Sequence, residues 1–177
     1  MHRLDRTTVQ IPACLAKYQH GTHTWDDVTG TDKREIRQCL EAMQGRRCAY
    51  CEASTDDFDH HIEHFRRKKH HLALTFAWDN LFLCCGKDDR CGHHKDRGDR
   101  QYNWQDLINP TIDEPDDFFW FHESGAIGER GGCTSAQAHR ARETLRVLNL
   151  MHRDLRSMRA RQLKWYMQQD PDVFAAL

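Results

Sequence analysis

The feature that most restricts what this chain can fold into is a set of closely spaced cysteines. Cys48 and Cys51 form a C-x-x-C, and Cys84, Cys85 and Cys91 follow after an intervening histidine-rich stretch. Structural zinc sites are often built from two such knuckles, because a tight turn places two thiolates about 2.3 Å from one tetrahedral ion. Cys48 and Cys51 make the first knuckle, and the second comes from Cys84 or Cys85 together with Cys91. A lone C-x-x-C carries little weight, but one followed by a further cysteine cluster within about 40 residues predicts structural zinc. A redox dithiol would sit on a strand-to-helix element in a thioredoxin-like pattern, which this sequence lacks.

The compartment bears on that reading. The first residues, "MHRLDRTTVQIP", lack the apolar stretch of a secretory signal, so the expected location is the cytoplasm. Thiols stay reduced there, and eight cysteines read better as metal thiolates than as a disulfide framework. With 177 residues, 30% of them charged against 38% hydrophobic, the chain is expected to form one unit whose modest core a metal staple would help. Apolar runs such as "LFLCC" and "VFAAL" fall far below the roughly 20 residues of a membrane-spanning helix, so no membrane partner is expected.

The formal net charge is −1, but the charges are unevenly spread. Between His139 and Lys164 lie Arg140, Arg142, Arg146, Arg153, Arg156, Arg159, Arg161 and Lys164, against only Glu143 and Asp154. A second basic run is "RRKK" at 66–69, while acidic residues collect at Asp56, Asp57 and Asp59 and in "DEPDD" at 113–117. Local positive surfaces bind phosphate whatever the global sum is, although a solvated helix face would look the same.

Pro12 is expected to open a short helix reaching about His20, since proline suits the first helical position. In "TDKREIRQCLEAMQG", Thr31 is the expected N-cap, Ile36, Cys39, Leu40 and Met43 share one face, and Gly45 stops the helix. Cys14 and Cys39 are then simply small buried residues. "DLINP" and "DEPDD" read as loops, and "FFWFHESGAIGER" as a hairpin around Ser124 and Gly125. From Ser135 the pattern is helical, with Leu145, Leu148, Leu155 and Met158 at core-like spacing and a break near Asn149, predicting two packed closing helices. The chain thus divides into a helical extension (1–47), a zinc-stapled core (48–100), a loop and hairpin (101–133) and C-terminal helices (134–177).

Glu63, His64, Asn80, His93, His94 and Lys95 lie among the cysteines, and a four-cysteine site requires none of them. A zinc protease needs H-E-x-x-H, whereas His61 and His64 are three apart with the glutamate between them. A deaminase would use "HIE" at 61–63, but its P-C-x-x-C should lie downstream and carry the proline. The order C-x-x-C, acid-His, N-L-x-x-x-C, C-x-x-x-K instead resembles the HNH endonucleases with a ββα-metal motif. "CAYCE", "IEHFRRK", "WDNLFLCC", "CGHHKD", "LINPTIDEPDDFFWF" and "ETLRVLNL" follow one another as in the PtuB family, the HNH subunits of Septu-type and retron-associated anti-phage systems. The resemblance runs over nearly the full chain, from "IPACL" to the C-terminal helices.

The resemblance implies an α+β fold with a zinc-stapled ββα-metal, treble-clef-like core, N-terminal helices, a β-hairpin and two C-terminal helices. It implies a phosphodiester hydrolase in which His64 is the general base, Glu63 holds a catalytic Mg²⁺ or Mn²⁺, and Asn80 tethers the loop and orients the base. It selects Cys85 over Cys84, giving Cys48, Cys51, Cys85 and Cys91 as ligands of structural Zn²⁺. The family's last metal ligand directly follows the final cysteine, where this chain has Gly92; His93 is the substitute, with His94 close behind. The loop from Cys85 to Cys91 is also longer than the usual C-x-x-C, Arg67 stands where proline is commoner, and Met151 stands where many relatives have asparagine.

Arg66, Arg67, Lys68 and Lys95 are expected to contact phosphates, Trp78 and Phe82 to be core, and His60, His61, His70 and His71 to be surface or supporting residues. The implied substrate is nucleic acid, DNA ahead of RNA, and the implied partner is a PtuA-like ABC/SMC-type ATPase. The alternatives are a non-catalytic zinc module that binds nucleic acid or protein, and a thiol redox protein.

Overall fold

The computed structural model describes residues 1–56, 59–98 and 100–169. Asp57 of the acidic group, and the "VFAAL" end of the C-terminal segment, lie outside the described residues.

Helix α1 (Gly30–Gln44) starts where the Thr29 hydroxyl accepts the Asp32 N–H at 3.1 Å, and ends at Gly45, whose φ of +59° is left-handed. The cap is therefore Thr29; Thr31, expected in that role, is already helical. Ile36 and Leu40 are fully buried on the predicted face, with Met43 nearly so and Cys39 half-buried. Pro12 precedes a 3-10 helix at Ala13–Lys17, shorter than the helix expected to His20, and Cys14 is buried on it.

Gln44, at the end of α1, bonds through both amide atoms to the backbone of Leu83, at 2.9 Å each. The helix is thereby tied to a central strand before the chain turns into the Cys48 knuckle. That knuckle is sewn to the same strand by the Ala49 N–H donating to the Leu83 carbonyl at 3.0 Å. Strand β1 (His60–His64) pairs antiparallel with β2 (Leu81–Cys85), opposing His64 to Leu81, Glu63 to Phe82 and His60 to Cys85. All five residues of β2 are buried, which accounts for its unbroken apolar sequence. Helix α2 (Cys91–Asp96) follows, entered through Cys91 at φ +56°.

The predicted hairpin is present as β3 (Phe119–Phe121) and β4 (Ile127–Glu129), turning at Gly125 with φ +76°. A Cβ at Gly125 would run into the Arg156 carbonyl, so the helix carrying Arg156 crosses the hairpin tip closely. Helix α3 (Ser135–Val147) opens with a Thr134–Gln137 capping box and packs on β4 and α2. Asn149, at φ +48°, breaks the helical run as expected, and α4 (Arg153–Gln169) continues beyond it. The chain is thus α+β, with four α-helices and two small antiparallel sheets among the described residues. One core runs through Tyr50, Phe82, Leu107, Ile108 and Leu148, and takes in Trp78. Among the described residues, no helix is long and apolar enough to cross a membrane.

Candidate functional site

The Cys48–Cys51 knuckle, the end of β2 and the start of α2 bring four sulfurs together. The Sγ atoms of Cys48, Cys51, Cys85 and Cys91 all lie within 4.8 Å of one another, with Cys51 and Cys85 at 3.8 Å. A tetrahedron with metal–sulfur bonds of about 2.3 Å has edges of about 3.8 Å, so this cluster fits zinc. Cys84 neighbours Cys85 and its thiol reaches Cys48, but it is outside the group whose four sulfurs all lie within 4.8 Å of one another. Burial pushes the Cys84 thiol well above its ordinary range. At Cys48 burial acts the same way, but hydrogen bonds from the surrounding thiols outweigh it and hold Cys48 well below the usual value.

Among the described residues, two other groups gather three metal-type donors, Cys14–Asp32–Glu35 and Asp89–His152–Asp154. Each already holds a cation: Lys17 lies 2.8 Å from Asp32, and Arg90 lies 3.5 Å from both Asp89 and Asp154.

Glu63 and His64 end β1 and are buried, 3% and 4% exposed. The carboxylate of Glu63 meets Lys95 Nζ at 2.8 Å on Oε1 and His61 Nε2 at 3.4 Å on Oε2. The Lys95 contact is an ion pair at an angle that leaves Oε1 without a directed hydrogen bond. Burial opposes ionisation of Glu63, yet the Lys95 ammonium and His61 prevail and hold its pKa at about 2.

His64 faces different surroundings. Its Nε2 lies 3.0 Å from the Thr75 carbonyl, and its ring stands at 87° to that of Trp25, 4.6 Å between centroids. A carbonyl only accepts, so Nε2 carries the proton and Nδ1 keeps the free lone pair. Burial lowers the His64 pKa to about 4 despite the Thr75 bond and the Glu63 charge, so the ring is neutral near pH 7.

Asn80, 3% exposed, uses its whole amide on the connection that follows β1. Its Oδ1 accepts the Arg66 N–H at 2.8 Å, and its Nδ2 donates to the carbonyls of Arg66 and Leu74, each at 3.1 Å. The chain leaving His64 is therefore pinned to the residue just before β2.

Lys95 is fully buried among Glu63, Asp96 and the His64 carbonyl, so it is not available to phosphate as the sequence had suggested. Arg67 is also engaged, with Asp96 and with the carbonyls of Arg100 and Lys95. Arg66 lies over the Trp104 ring at 3.8 Å, and Lys68 is exposed. His94 bonds through Nδ1 to the Val147 carbonyl at 2.9 Å, while the ring of His93 stacks on His61 at 3.9 Å.

His61, expected to be peripheral, is drawn into the site by strand periodicity, since it lies two residues before Glu63 on the same face of β1. Gly92 explains the close approach. A Cβ there would collide with the Glu63 carboxylate and stand 2.9 Å from His61 Nε2. Where the HNH pattern places a ligand side chain, this chain leaves room for Glu63 and His61. Trp25 and Thr75 were also missed, because they come from the extension and from the β1–β2 connection, outside any cysteine or histidine spacing.

No family model matches the chain. It is 26% identical over 139 residues to the "Retron Vc95 putative HNH endonuclease" of Vibrio cholerae serotype O1 biovar El Tor, covering 75% of this chain and 65% of that protein. It is 24% identical over 156 residues to the Septu protein PtuB of Bacillus mycoides (strain KBAB4), covering 73% of this chain and 51% of that protein. The chain therefore spans only part of the length of either relative. Both likenesses support an HNH-like family near PtuB.

Proposed function

We propose that this chain, HNH-like and near PtuB, is a divalent-metal-dependent endonuclease that hydrolyses phosphodiester bonds of nucleic acid, DNA ahead of RNA. We further propose that it is the effector of an anti-phage system and works with a PtuA-like ABC/SMC-type ATPase; the Septu name of one relative supports this arm. The observation that carries the catalytic reading is His64, a buried neutral imidazole next in sequence to an ionised carboxylate at the end of β1. The order β1, β2, α2 around four convergent cysteines supports a ββα-metal core.

His64 donates Nε2–H to Thr75, which leaves Nδ1 to take a proton from an attacking water. Asn80 holds the backbone that positions this ring. Glu63 and His93 would hold Mg²⁺ or Mn²⁺, with His61 in contact with both; the three donors are not gathered within 4.8 Å as the cysteine sulfurs are, and His93 is preferred to His94 because His94 is committed to Val147. An ion held there would supply the positive charge that polarises the phosphate and stabilises the departing 3′ oxygen. Cys48, Cys51, Cys85 and Cys91 would hold Zn²⁺ as architecture. Arg66 and Lys68 remain the candidates for phosphate contacts from the basic run.

Plasmid DNA and total RNA, incubated with the protein in Mg²⁺, Mn²⁺ or EDTA, with and without the ATPase, test the reading. Cutting that requires the added ion is expected. Binding without cutting in every arm would favour the non-catalytic zinc module, and cutting indifferent to EDTA would contradict the metal-dependent mechanism.

A further inference from the structure

A cavity of about 510 Å³ opens between residues 20–26 and the segment from Lys68 to Thr75. It shares two walls with the proposed base. Thr75, whose carbonyl receives His64 Nε2, lines it, and so does Trp25, whose ring stands at 87° to that of His64.

Trp25 is the last rung of an aromatic ladder. Tyr18 and Phe76 stack at 5.5 Å and 24°, and Phe76 and Trp25 at 6.4 Å and 27°. The Trp25 ring is half-buried, with the ammonium groups of Lys33 and Lys68 at 5.8 and 6.0 Å from its centroid. Lys68 and Lys69 line the cavity against a single carboxylate, Asp26. An aromatic ring with two ammonium groups over it matches a nucleotide, which presents a π-face and an anionic phosphate together. The volume lies within the range of small-molecule sites.

We propose that this cavity receives one unstacked nucleobase of the strand being cut, lying on Trp25 with its phosphate against Lys68. The inference rests on the nuclease reading of His64 and deepens it by naming the substrate class: a single-stranded or locally unpaired nucleic acid. Inside a duplex both faces of a base are occupied and the base must be extruded before it can enter, so paired substrates bind less well.

The test is fluorescence anisotropy in buffer without added divalent ion. The probes are a fluorescein-labelled 12-nucleotide single-stranded DNA, an RNA of the same sequence, and the blunt DNA duplex. The wild type should favour single strands, and the DNA and RNA arms report which sugar is preferred. Trp25→Ala should weaken single-strand binding about 5- to 150-fold, the range expected for loss of one stacked base, while Trp25→Phe retains most of it. Leu72→Trp, at an exposed position on the cavity wall, should weaken binding by filling the space, and it remains informative if Trp25→Ala does not fold. Zinc content per chain reports folding in each case.

Wild-type affinity in Leu72→Trp together with wild-type affinity in any folded Trp25→Ala, or a duplex bound as tightly as a single strand, overturns the proposal. Parallel Mg²⁺-dependent cutting assays separate the two readings. Cutting without the cavity effects sinks the cavity alone, and cavity effects without cutting sink the nuclease reading.

Discussion

Lys95 Nζ lies 2.8 Å from Glu63 Oε1, with the lysine fully buried and the glutamate 3% exposed. A buried carboxylate beside a candidate metal site needs a fixed counter-charge, and this ammonium supplies it while also donating to the His64 carbonyl at 3.0 Å. Removing one partner of such a pair leaves the other uncompensated. Lys95→Met should therefore cost about 3–5 kcal/mol of stability, read as a lowered urea midpoint, and adding Glu63→Gln should recover part of it.

Gly92→Ala addresses the other side of the same carboxylate. Its Cβ would displace Glu63 and crowd His61. Mn²⁺ binding followed by electron paramagnetic resonance should weaken about 10- to 100-fold, while zinc content stays at the wild-type level.

Asn80→Ala removes the acceptor of the Arg66 N–H and unpins the chain after His64. The orphaned group should lower stability by about 1–3 kcal/mol. Cutting should fall further than the loss of folded protein explains, because the base is no longer held in place.

The N-terminal extension has its own electrostatic clamp. Asp32 accepts from Lys17 at 2.8 Å, Tyr18 at 2.5 Å and the Thr29 hydroxyl at 2.9 Å, and these bonds, led by Lys17, hold its pKa at about 2 rather than 3.8. A depressed carboxyl stabilises the fold fully above its unfolded value, and that contribution is lost as pH falls through the folded one. Asp32→Asn should accordingly be less stable than wild type at pH 7, with the difference narrowing between pH 4 and pH 2 in denaturation curves.

Much of this arrangement was legible in the residues themselves. The hairpin at Gly125, the break at Asn149 and the cysteine knuckles all carry strong local signals, since each requires a particular backbone or ligand geometry. The choice of Cys85 over Cys84 came from family likeness, and the group of four convergent sulfurs contains Cys85 and not Cys84. The roles of Lys95 and His61 were not legible. A lysine in a basic sequence looks solvated until tertiary packing places a carboxylate against it. A histidine in a histidine-rich run gains a role only when a glycine on a distant helix lets it approach. Trp25 lay beyond any motif, because its meeting with His64 depends on how the extension folds back.

The most direct measurement is single-turnover cleavage of a labelled nucleic acid in Mg²⁺ by wild type and by His64→Ala at matched zinc content. Loss of a positioned general base should slow the chemical step about 10²- to 10⁴-fold with the cysteine site still loaded. A His64→Ala protein that cuts at the wild-type rate would contradict the account.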